Sequence, residues 1–267
     1  MNKYGIIGLG WLGLELAKAL KKDNLSVWGT TTSTKKLEMI NGFGIEALYF
    51  EILENGCKGE IFDHLKQTTH LFLNIPPGLR KDSQTDYVKK LSNFLDLISE
   101  NSIQHLIYVS STSVFQDQKG IPEYTENSEP NASSKTANQL IKAENLILEL
   151  QLPTVQLLRL GGLIGGERHP AKYLSGRKQV SNPEAPVNMI RREDVIQLSK
   201  RLFLYKKSGV FHGVFPDFPT RRVFYTQACK AMNLESPGFI DLEANLGKKI
   251  SSLKTSNELN YNFNYQP

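Results

Sequence analysis

The stretch GIIGLGWLGLELAKAL, residues 5–20, decides the fold, because it places three glycines between an apolar run and a helical pattern. Residues 4–7 are predicted to form a buried strand, and leucines and alanines then recur at helical spacing. The turn between them has the G-x-G-x-x-G spacing and comprises Gly8, Leu9, Gly10, Trp11, Leu12 and Gly13. Its glycines permit a tight turn, close approach of a ligand and close helix packing. Since N–H groups at a helix start suit a pyrophosphate, the stretch predicts a dinucleotide site. The alternative is a glycine turn that binds nothing.

Beyond this turn, strand patterns alternate with helical ones. We predict strands at 4–7, 25–30, 46–50, 70–74, 105–110 and 154–160, and helices at 35–41, 86–100 and 132–150. This alternation predicts an α/β fold of the Rossmann type, a doubly wound parallel sheet with ligands beyond the carboxyl ends of its strands.

The pattern changes after residue 165. A polar, proline-interrupted stretch is followed by a predicted helix at 193–204, a strand at 210–215 and a helix at 222–232. We therefore predict a dinucleotide-binding domain at 1–165 and a small substrate-binding lobe at 166–267, interleaved with the main domain.

Composition excludes several classes of protein. The 267 residues are 40% hydrophobic and 22% charged, which is typical of a soluble globular protein. The formal net charge of +5 fits an anionic ligand, but the lysine pairs are scattered, so we expect no nucleic-acid partner. No apolar run approaches the ~20 residues of a membrane helix. Cys57 and Cys229 are far apart, and the histidines lack metal-ligand spacing, so we predict a cytoplasmic protein without a metal site.

The end of the second predicted strand bears on the choice of cofactor. An NAD site normally places an acid there to hold the ribose hydroxyls. Here the stretch is polar and carries no acid; its candidate cofactor contacts are Thr30, Thr31, Thr32, Ser33 and Lys35. Hydroxyls and a lysine are compatible with a 2′-phosphate, so we predict NADP in preference to NAD. A hydroxyl-rich turn capping the next helix is the alternative.

The fourth predicted strand ends in a second candidate cofactor contact. Asn74, Ile75 and Pro76 follow it, and proline stiffens a loop and removes a backbone donor. We expect these residues to form a wall of the cofactor site.

Three further motifs occur in order along the chain. They are VSSTSVF at 109–115, LRLGGLIG at 158–165 and VNMIRREDV at 187–195. Together with the glycine turn, this set resembles the extended short-chain dehydrogenase/reductases, the group of epimerase/dehydratase-like enzymes. Within that group, the stretches GERHP at 166–170 and PTRRVFY at 219–225 look most like the YeeZ-like atypical members.

The resemblance implies roles for particular residues. It places Ser110 at the cofactor, Ser111 at the position of the catalytic serine and Thr112 beside it. These enzymes also carry a Tyr-x-x-x-Lys pair on the next helix. A gapless alignment places Thr136 at the tyrosine and Leu140 at the lysine, so Thr136 is a third catalytic candidate. An alignment on Ser134-Lys135 instead places Asn131 at the tyrosine, and in both alignments the tyrosine is absent.

A group of mostly basic residues follows the sixth predicted strand and the substrate-lobe motif. The candidate substrate contacts are Arg168, His169, Lys172, Asn188 and Arg191. Such residues can hold a phosphate or a carboxylate, and ordinary solvated charge is the alternative.

Three hypotheses of function remain. The first is an NAD(P)-binding oxidoreductase or epimerase/dehydratase-like enzyme that lacks the Tyr-x-x-x-Lys pair and acts on a small anionic or nucleotide-linked substrate. The second is a catalytically inactive NADP-binding sensor. The third is a β-hydroxyacid dehydrogenase-like enzyme, which the opening residues 7–10 also resemble. By analogy with extended members, a homodimer through the helices at 86–100 and 132–150 is expected.

Overall fold

A computed structural model of the chain describes residues 2–78, 84–99, 101–241 and 245–267. The strands are β1 (Lys3–Ile7), β2 (Ser26–Thr31), β3 (Glu46–Tyr49), β4 (Glu51–Leu53), β5 (Gly56–Lys58), β6 (His70–Leu73), β7 (His105–Ser111), β8 (Glu123–Tyr124), β9 (Thr154–Leu160), β10 (Gly162–Ile164), β11 (Met189–Arg191), β12 (Gly209–Gly213) and β13 (Lys249–Ile250). The α-helices are α1 (Gly13–Lys22), α2 (Leu37–Asn41), α3 (Phe62–Lys66), α4 (Tyr87–Ser99), α5 (Lys135–Leu148), α6 (Ala171–Leu174), α7 (Arg192–Leu204), α8 (Arg221–Ala231) and α9 (Leu253–Leu259).

Seven strands form one sheet, in the order β12-β9-β7-β6-β1-β2-β3. The pairs β7–β6, β6–β1, β1–β2 and β2–β3 are parallel. The direction of strand addition reverses between β1 and β6, as in the Rossmann arrangement, and ligands of such sheets bind at this reversal. β6 and β9 are buried along their whole length, because helices cover both faces of the sheet. The predicted fold class is confirmed.

The predicted element boundaries mostly agree with the structure. The helix predicted at 132–150 begins later, at Lys135, because the Ser134 hydroxyl accepts a hydrogen bond from the Ala137 amide at 3.2 Å and caps it. The helix predicted at 86–100 is α4, and its predicted last residue, Glu100, lies outside the described residues. The short hairpin of β4 and β5 was not predicted, since three-residue strands leave almost no periodic signal.

The chain divides into two compact units, and each unit is built from three separate stretches of the sequence. Unit 1 comprises Met1–Ser110, Ser134–Leu158 and Ile196–Val210; unit 2 comprises Ser111–Ser133, Arg159–Val195 and Phe211–Pro267. Unit 1 contains the glycine turn and five parallel strands. None of the described helices is long and apolar enough to cross a membrane.

Two buried carboxylates organise unit 2. Asp194, in the first turn of α7, accepts hydrogen bonds from the Tyr261 hydroxyl at 2.5 Å and from the amides of Asn264 and Tyr265 at 3.1 and 3.2 Å. Glu126 accepts from the amide and the hydroxyl of Thr255 at 3.0 and 2.8 Å. These bonds attach residues 255–265 to earlier parts of the same unit.

Candidate functional site

A cleft of about 390 Å³ opens in unit 1 where β1, β2, β3 and β6 end. Its lining comes from the last residues of β1 and β2 and from the segments that follow the four strands, with one residue from α4. The lining residues are Ile7, Gly8, Leu9, Gly10, Thr30, Thr31, Thr32, Ser33, Lys36, Phe50, Glu51, Ile52, Asn74, Ile75, Pro76 and Lys90. The cleft therefore lies at the reversal in strand order, where the fold class places ligands.

The three glycines of the turn do different things. Gly8 has φ +108°, and a Cβ there would lie 2.5 Å from the Asn74 carbonyl oxygen. A Cβ on Gly13 would lie 2.1 Å from the Gly8 carbonyl oxygen. Gly10 is exposed, and a Cβ there would meet no described atom within 4 Å. Gly8 and Gly13 are thus required by the protein itself, whereas Gly10 leaves its open side to the cleft.

The start of α1 faces this turn without a side-chain cap, since Leu12 occupies the N-cap position. The first amides of a helix lack partners within the helix, and the helix end carries a partial positive charge. The strand end beside it is fixed, because the Gly8 amide donates to the Thr30 hydroxyl at 3.1 Å and the Leu9 amide to the Thr30 carbonyl at 2.6 Å. The arrangement can hold an anion such as a pyrophosphate.

Most residues predicted to contact a cofactor line the cleft. Five do not: Trp11, Leu12 and Gly13, which lie at the start of α1, and Lys35 and Ser110. Lys36 lines the cleft where Lys35 was predicted, because Thr34–Lys36 form one turn of 3₁₀-helix that brings the second lysine round. The loop predicted as a wall contributes Asn74, Ile75 and Pro76 as expected.

Sequence reasoning missed six lining residues: Ile7, Lys36, Phe50, Glu51, Ile52 and Lys90. Residues 50–52 follow β3, so the parallel-sheet rule alone could have placed them at this edge. Lys90 comes from α4 and had no local signal. The Tyr49 hydroxyl donates to Glu51 at 2.9 Å, and this bond raises the pKa of Tyr49.

Ser110 is buried, and its hydroxyl donates to the equally buried Glu144 on α5 at 2.5 Å. A neighbouring pair connects with the cleft wall, since the Tyr87 hydroxyl lies 2.9 Å from that of Tyr108 and 3.1 Å from the Ile75 carbonyl oxygen. Burial raises the pKa of Tyr87 to about 12 and that of Tyr108 well above its ordinary value. Both phenols stay protonated near neutral pH, and this network supports the cleft wall from behind.

Unit 2 contains the candidate catalytic serine. Ser111 ends β7, and its hydroxyl accepts a hydrogen bond from the Ser113 amide at 3.2 Å. This bond caps the 3₁₀ turn Thr112–Val114, whose first residue is buried. The Ser111 hydroxyl can still donate, since a hydroxyl has one proton and two lone pairs.

The candidate basic residues of unit 2 surround His169. Its Nδ1 accepts from the Ala171 amide at 3.1 Å, and its ring stacks on Phe224 with 5.6 Å between centroids. Burial lowers the pKa of His169, and the charges of Arg191 and Lys172 lower it further. The ring is therefore neutral at pH 7 and carries its proton on Nε2, where it can donate.

The basic residues of this group differ in their hydrogen-bond partners and in their exposure. Lys172 donates to the carbonyl and the carboxylate of Glu167, at 2.8 and 3.2 Å. The Nε atom of Arg191 is buried and has no hydrogen-bond partner among the described residues. Arg168 is exposed. Of this group, Arg191 therefore keeps a hydrogen-bond donor that no described residue uses.

Asn188 is held by backbone. Its amide nitrogen donates to the Lys248 carbonyl at 2.9 Å, and its amide oxygen accepts from the Ile250 amide at 2.8 Å. Both ends of the side chain therefore stabilise β13.

The chain is 31% identical over 268 residues to Protein YeeZ of Escherichia coli (strain K12), covering 99% of this chain and 97% of YeeZ. The chain belongs to the extended short-chain dehydrogenase/reductase family. No protein-family model matches it.

Solved structures share the fold of this chain. A functionally unknown conserved protein from Silicibacter pomeroyi DSS has a TM-score of 0.79 at 20% identity, covering 99% of this chain and 94% of that chain. UDP-glucose-4-epimerase from Stenotrophomonas maltophila, with bound NAD and formylated UDP-arabinopyranose, also has a TM-score of 0.79, at 12% identity, covering 100% and 94%.

The resemblance implies that a Tyr-x-x-x-Lys pair would lie on α5, whose sequence is KTANQLIKAENLIL. Thr136 is exposed near its start, and Leu140 is a buried core residue. The alternative alignment points to Asn131 in unit 2. Its amide nitrogen donates to the Tyr124 hydroxyl at 3.0 Å, and that hydroxyl donates to the Gln116 carbonyl at 3.1 Å.

Phe115 is the last residue of the motif VSSTSVF. Its ring stacks on Tyr124 with 4.6 Å between centroids, and the Arg159 guanidinium lies 5.1 Å from the ring centroid. Phe115 is 1% exposed, so it is part of the apolar core of unit 2. Within the described residues, no three His, Cys, Asp or Glu side chains gather as metal ligands.

Proposed function

We propose that this protein binds a nicotinamide dinucleotide in the unit 1 cleft, NADP in preference to NAD, and acts as an oxidoreductase or epimerase/dehydratase-like enzyme. The observation that carries the proposal is the turn Gly8–Gly13, whose open Gly10 faces the cleft beside the uncapped start of α1. The pyrophosphate would lie at this helix start.

The residues after β2 support a preference for NADP. Thr31, Thr32, Ser33 and Lys36 line one side of the cleft with hydroxyls and an ammonium group. These groups suit a 2′-phosphate, which a carboxylate at the same place would repel. Glu51 also lines the cleft, and its carboxylate accepts a hydrogen bond from the Tyr49 hydroxyl.

We place the substrate contacts in unit 2. Arg168, His169 and Arg191 would hold an anionic group, a phosphate, diphosphate or carboxylate, through charge-assisted donors. This supports a small anionic or nucleotide-linked substrate, in line with the sugar nucleotide bound by the Stenotrophomonas epimerase. Lys172 and Asn188 were also predicted to bind substrate. Lys172 contributes positive charge beside His169.

The proposed reaction is hydride transfer, for which the bound nicotinamide supplies the donor or acceptor. Ser111 would donate a hydrogen bond from its hydroxyl to a substrate oxygen, with one of its two lone pairs already taken by the Ser113 amide. Thr112 and Thr136 remain weaker candidates, the first because it is buried and the second because a hydroxyl hardly ionises near neutral pH.

A second candidate function is a dinucleotide-binding sensor without turnover. It is favoured by the tyrosine-free α5 and by Tyr124, whose hydroxyl proton is held by the Gln116 carbonyl. In either case we propose a cytoplasmic protein. We also propose a homodimer in which α4 and α5 of two copies meet.

Calorimetric titration of the purified protein with NADPH and with NADH tests the proposal. We expect micromolar binding of NADPH and weaker binding of NADH. Gly10→Asp should abolish both, with at least a roughly hundredfold loss, because its carboxylate would meet the pyrophosphate while the fold has room for it. Binding of neither cofactor to the wild type would refute both candidate functions.

Lys36→Gln sharpens the choice of cofactor. We expect about a tenfold loss for NADPH and little change for NADH, because one charge-assisted contact to a phosphate is worth about 1.4 kcal/mol or more. Lys35→Gln is the matched control, since Lys35 does not line the cleft. Equal effects of the two variants would contradict the assignment of Lys36.

A further inference from the structure

The amino-terminal ends of the strands of unit 1 carry a concentration of positive charge. Residues 20–25 and 199–208 contain six basic residues and one acid, Asp23. The basic residues are Lys21, Lys22, Lys200, Arg201, Lys206 and Lys207, and we call them together the basic edge. Three of the six, Lys21, Lys22 and Arg201, come from the last turns of α1 and α7, where positive charge also complements the helix end.

Bonds within unit 1 hold the two segments in place. Lys200 pairs with Asp23 at 2.5 Å, which joins the end of α7 to the end of α1. The side-chain amide of Gln156 donates to the Tyr205 and Lys207 carbonyls at 2.6 and 3.0 Å. The charge of Lys206 lies close enough to His70, the first residue of β6, to lower its pKa. The basic edge is therefore a fixed surface over the starts of the strands.

An apolar side chain lies among these cations. Leu204, the last residue of α7, is 78% exposed, the highest exposure among the large apolar side chains described. Its neighbour Phe203 is buried and packs edge-on against Tyr4, with 5.1 Å between centroids. The inward side of this turn is thus anchored, while Leu204 points to solvent with cations on both sides in sequence.

We propose that the basic edge binds an acidic segment of another protein, with Leu204 contacting an apolar residue of that segment. Charge complementarity argues for an acidic partner. Five of the six cations are lysines, which act as point charges, whereas phosphate recognition favours the bidentate fork of arginine. A single exposed leucine offers too little apolar surface to insert into a lipid bilayer.

This site is separate from the proposed cofactor cleft. The cleft lies at the start of α1 and the basic edge at its end, and a ten-residue helix is about 15 Å long. Binding at one end leaves the other accessible. Binding of an acidic segment at the basic edge therefore does not depend on the proposed function.

Fluorescence anisotropy with a labelled oligoglutamate peptide carrying one central phenylalanine tests the proposal on the full chain. The test variant combines Lys22→Glu, Lys206→Glu and Lys207→Glu. The matched control combines Lys119→Glu, Lys142→Glu and Lys230→Glu, which are exposed and change the net charge equally. We expect at least a roughly tenfold loss of affinity in the test variant, less than about twofold in the control, and weaker wild-type binding at high salt.

Further measurements separate the alternatives. Leu204→Ser should weaken binding about threefold, since it removes part of one apolar contact. Saturating NADPH should leave peptide binding unchanged. Equal losses in the test and control variants would overturn the proposal, as would absence of peptide binding. Tighter binding of duplex DNA or of phosphatidylserine vesicles, lost in the test variant, would overturn it in favour of a phosphate-bearing partner.

Discussion

The two units present their candidate residues in opposite ways. In unit 1 the glycine turn leaves an open cleft, and Gly10 has free space on the side where a Cβ would project. In unit 2 the candidate side chains largely have protein partners: Asn188 bonds to Lys248 and Ile250, and Ser111 to Ser113.

This difference has a physical origin. A site made by backbone depends on where side chains are missing, and a glycine shows that directly in the sequence. A site made by side chains depends on which of their polar atoms the fold leaves without partners, and that is settled by distant residues. Among the described residues, the Nε atom of Arg191 in unit 2 has no hydrogen-bond partner, whereas each polar end of the Asn188 side chain has one.

The largest expected effect separates two glycines of the same turn. Gly13→Ala should lower the free energy of unfolding by about 3 kcal/mol or more, because its Cβ would lie 2.1 Å from the Gly8 carbonyl oxygen. Gly10→Ala should change it by less than about 0.5 kcal/mol. Urea unfolding of the two variants measures the contrast, and equal destabilisation would contradict the distinct roles of these glycines.

Acid should weaken both units to a similar degree. Burial lowers the pKa of His70 in unit 1 to about 4 and that of His212 in unit 2 to about 3. In the unfolded chain both titrate near 6.5, so stability is full above that pH and falls as the unfolded state takes up protons. At pH 5 each histidine should cost about 2 kcal/mol.

Unfolding free energies at pH 7 and pH 5 check this expectation. His70→Leu should reduce the difference between the two pH values by about 2 kcal/mol, whatever its stability at pH 7. His64→Leu is a control, since His64 is half-buried and pairs with Glu46. An unchanged difference in His70→Leu would show that His70 is protonated in the folded chain.

Asn188→Ala tests whether this residue is structural or functional. We expect a loss of about 1–2 kcal/mol in unfolding free energy, because the buried Ile250 amide would lose its acceptor. Thermal unfolding in the absence of any ligand measures it. A variant as stable as the wild type would return Asn188 to the group of available substrate contacts and remove one difference between the units.

The smallest effect concerns the candidate catalytic serine. Ser111→Ala should lower stability by about 0.5–1 kcal/mol through loss of the cap on the turn Thr112–Val114. NADPH affinity should stay the same, since Ser111 does not line the cleft. A loss of cofactor affinity would contradict the assignment of the cofactor site to the residues that line the unit 1 cleft.

The fold could be predicted from the sequence because its signals are local. Each of the following patterns predicts its element from a few neighbouring residues: the glycine turn, the buried runs of β6 and β9, and the amphipathic spacing of α4. The pairs β8–β13 and β10–β11 could not be predicted, since strands of two or three residues acquire their order from partners far along the chain.

The candidate site was predictable to the extent that backbone defines it. Ten of the residues predicted to contact a cofactor line the cleft. Lys36 replaced Lys35 because a 3₁₀ turn rotates consecutive side chains by about 120°. The bond between Ser110 and Glu144 joins residues 34 positions apart, and no local pattern reveals such a partner.

The carboxylate of Asp194 has a consequence for synthesis of the chain. Its partners Tyr261, Asn264 and Tyr265 are 67 to 71 positions later, so they leave the ribosome well after it. Until these residues emerge, the Asp194 carboxylate lacks its hydrogen-bond donors. Burying a carboxylate without such partners costs several kcal/mol. Unit 2 therefore completes its folding only once this segment has emerged, whereas β1 and α1 are available from the first moments of translation.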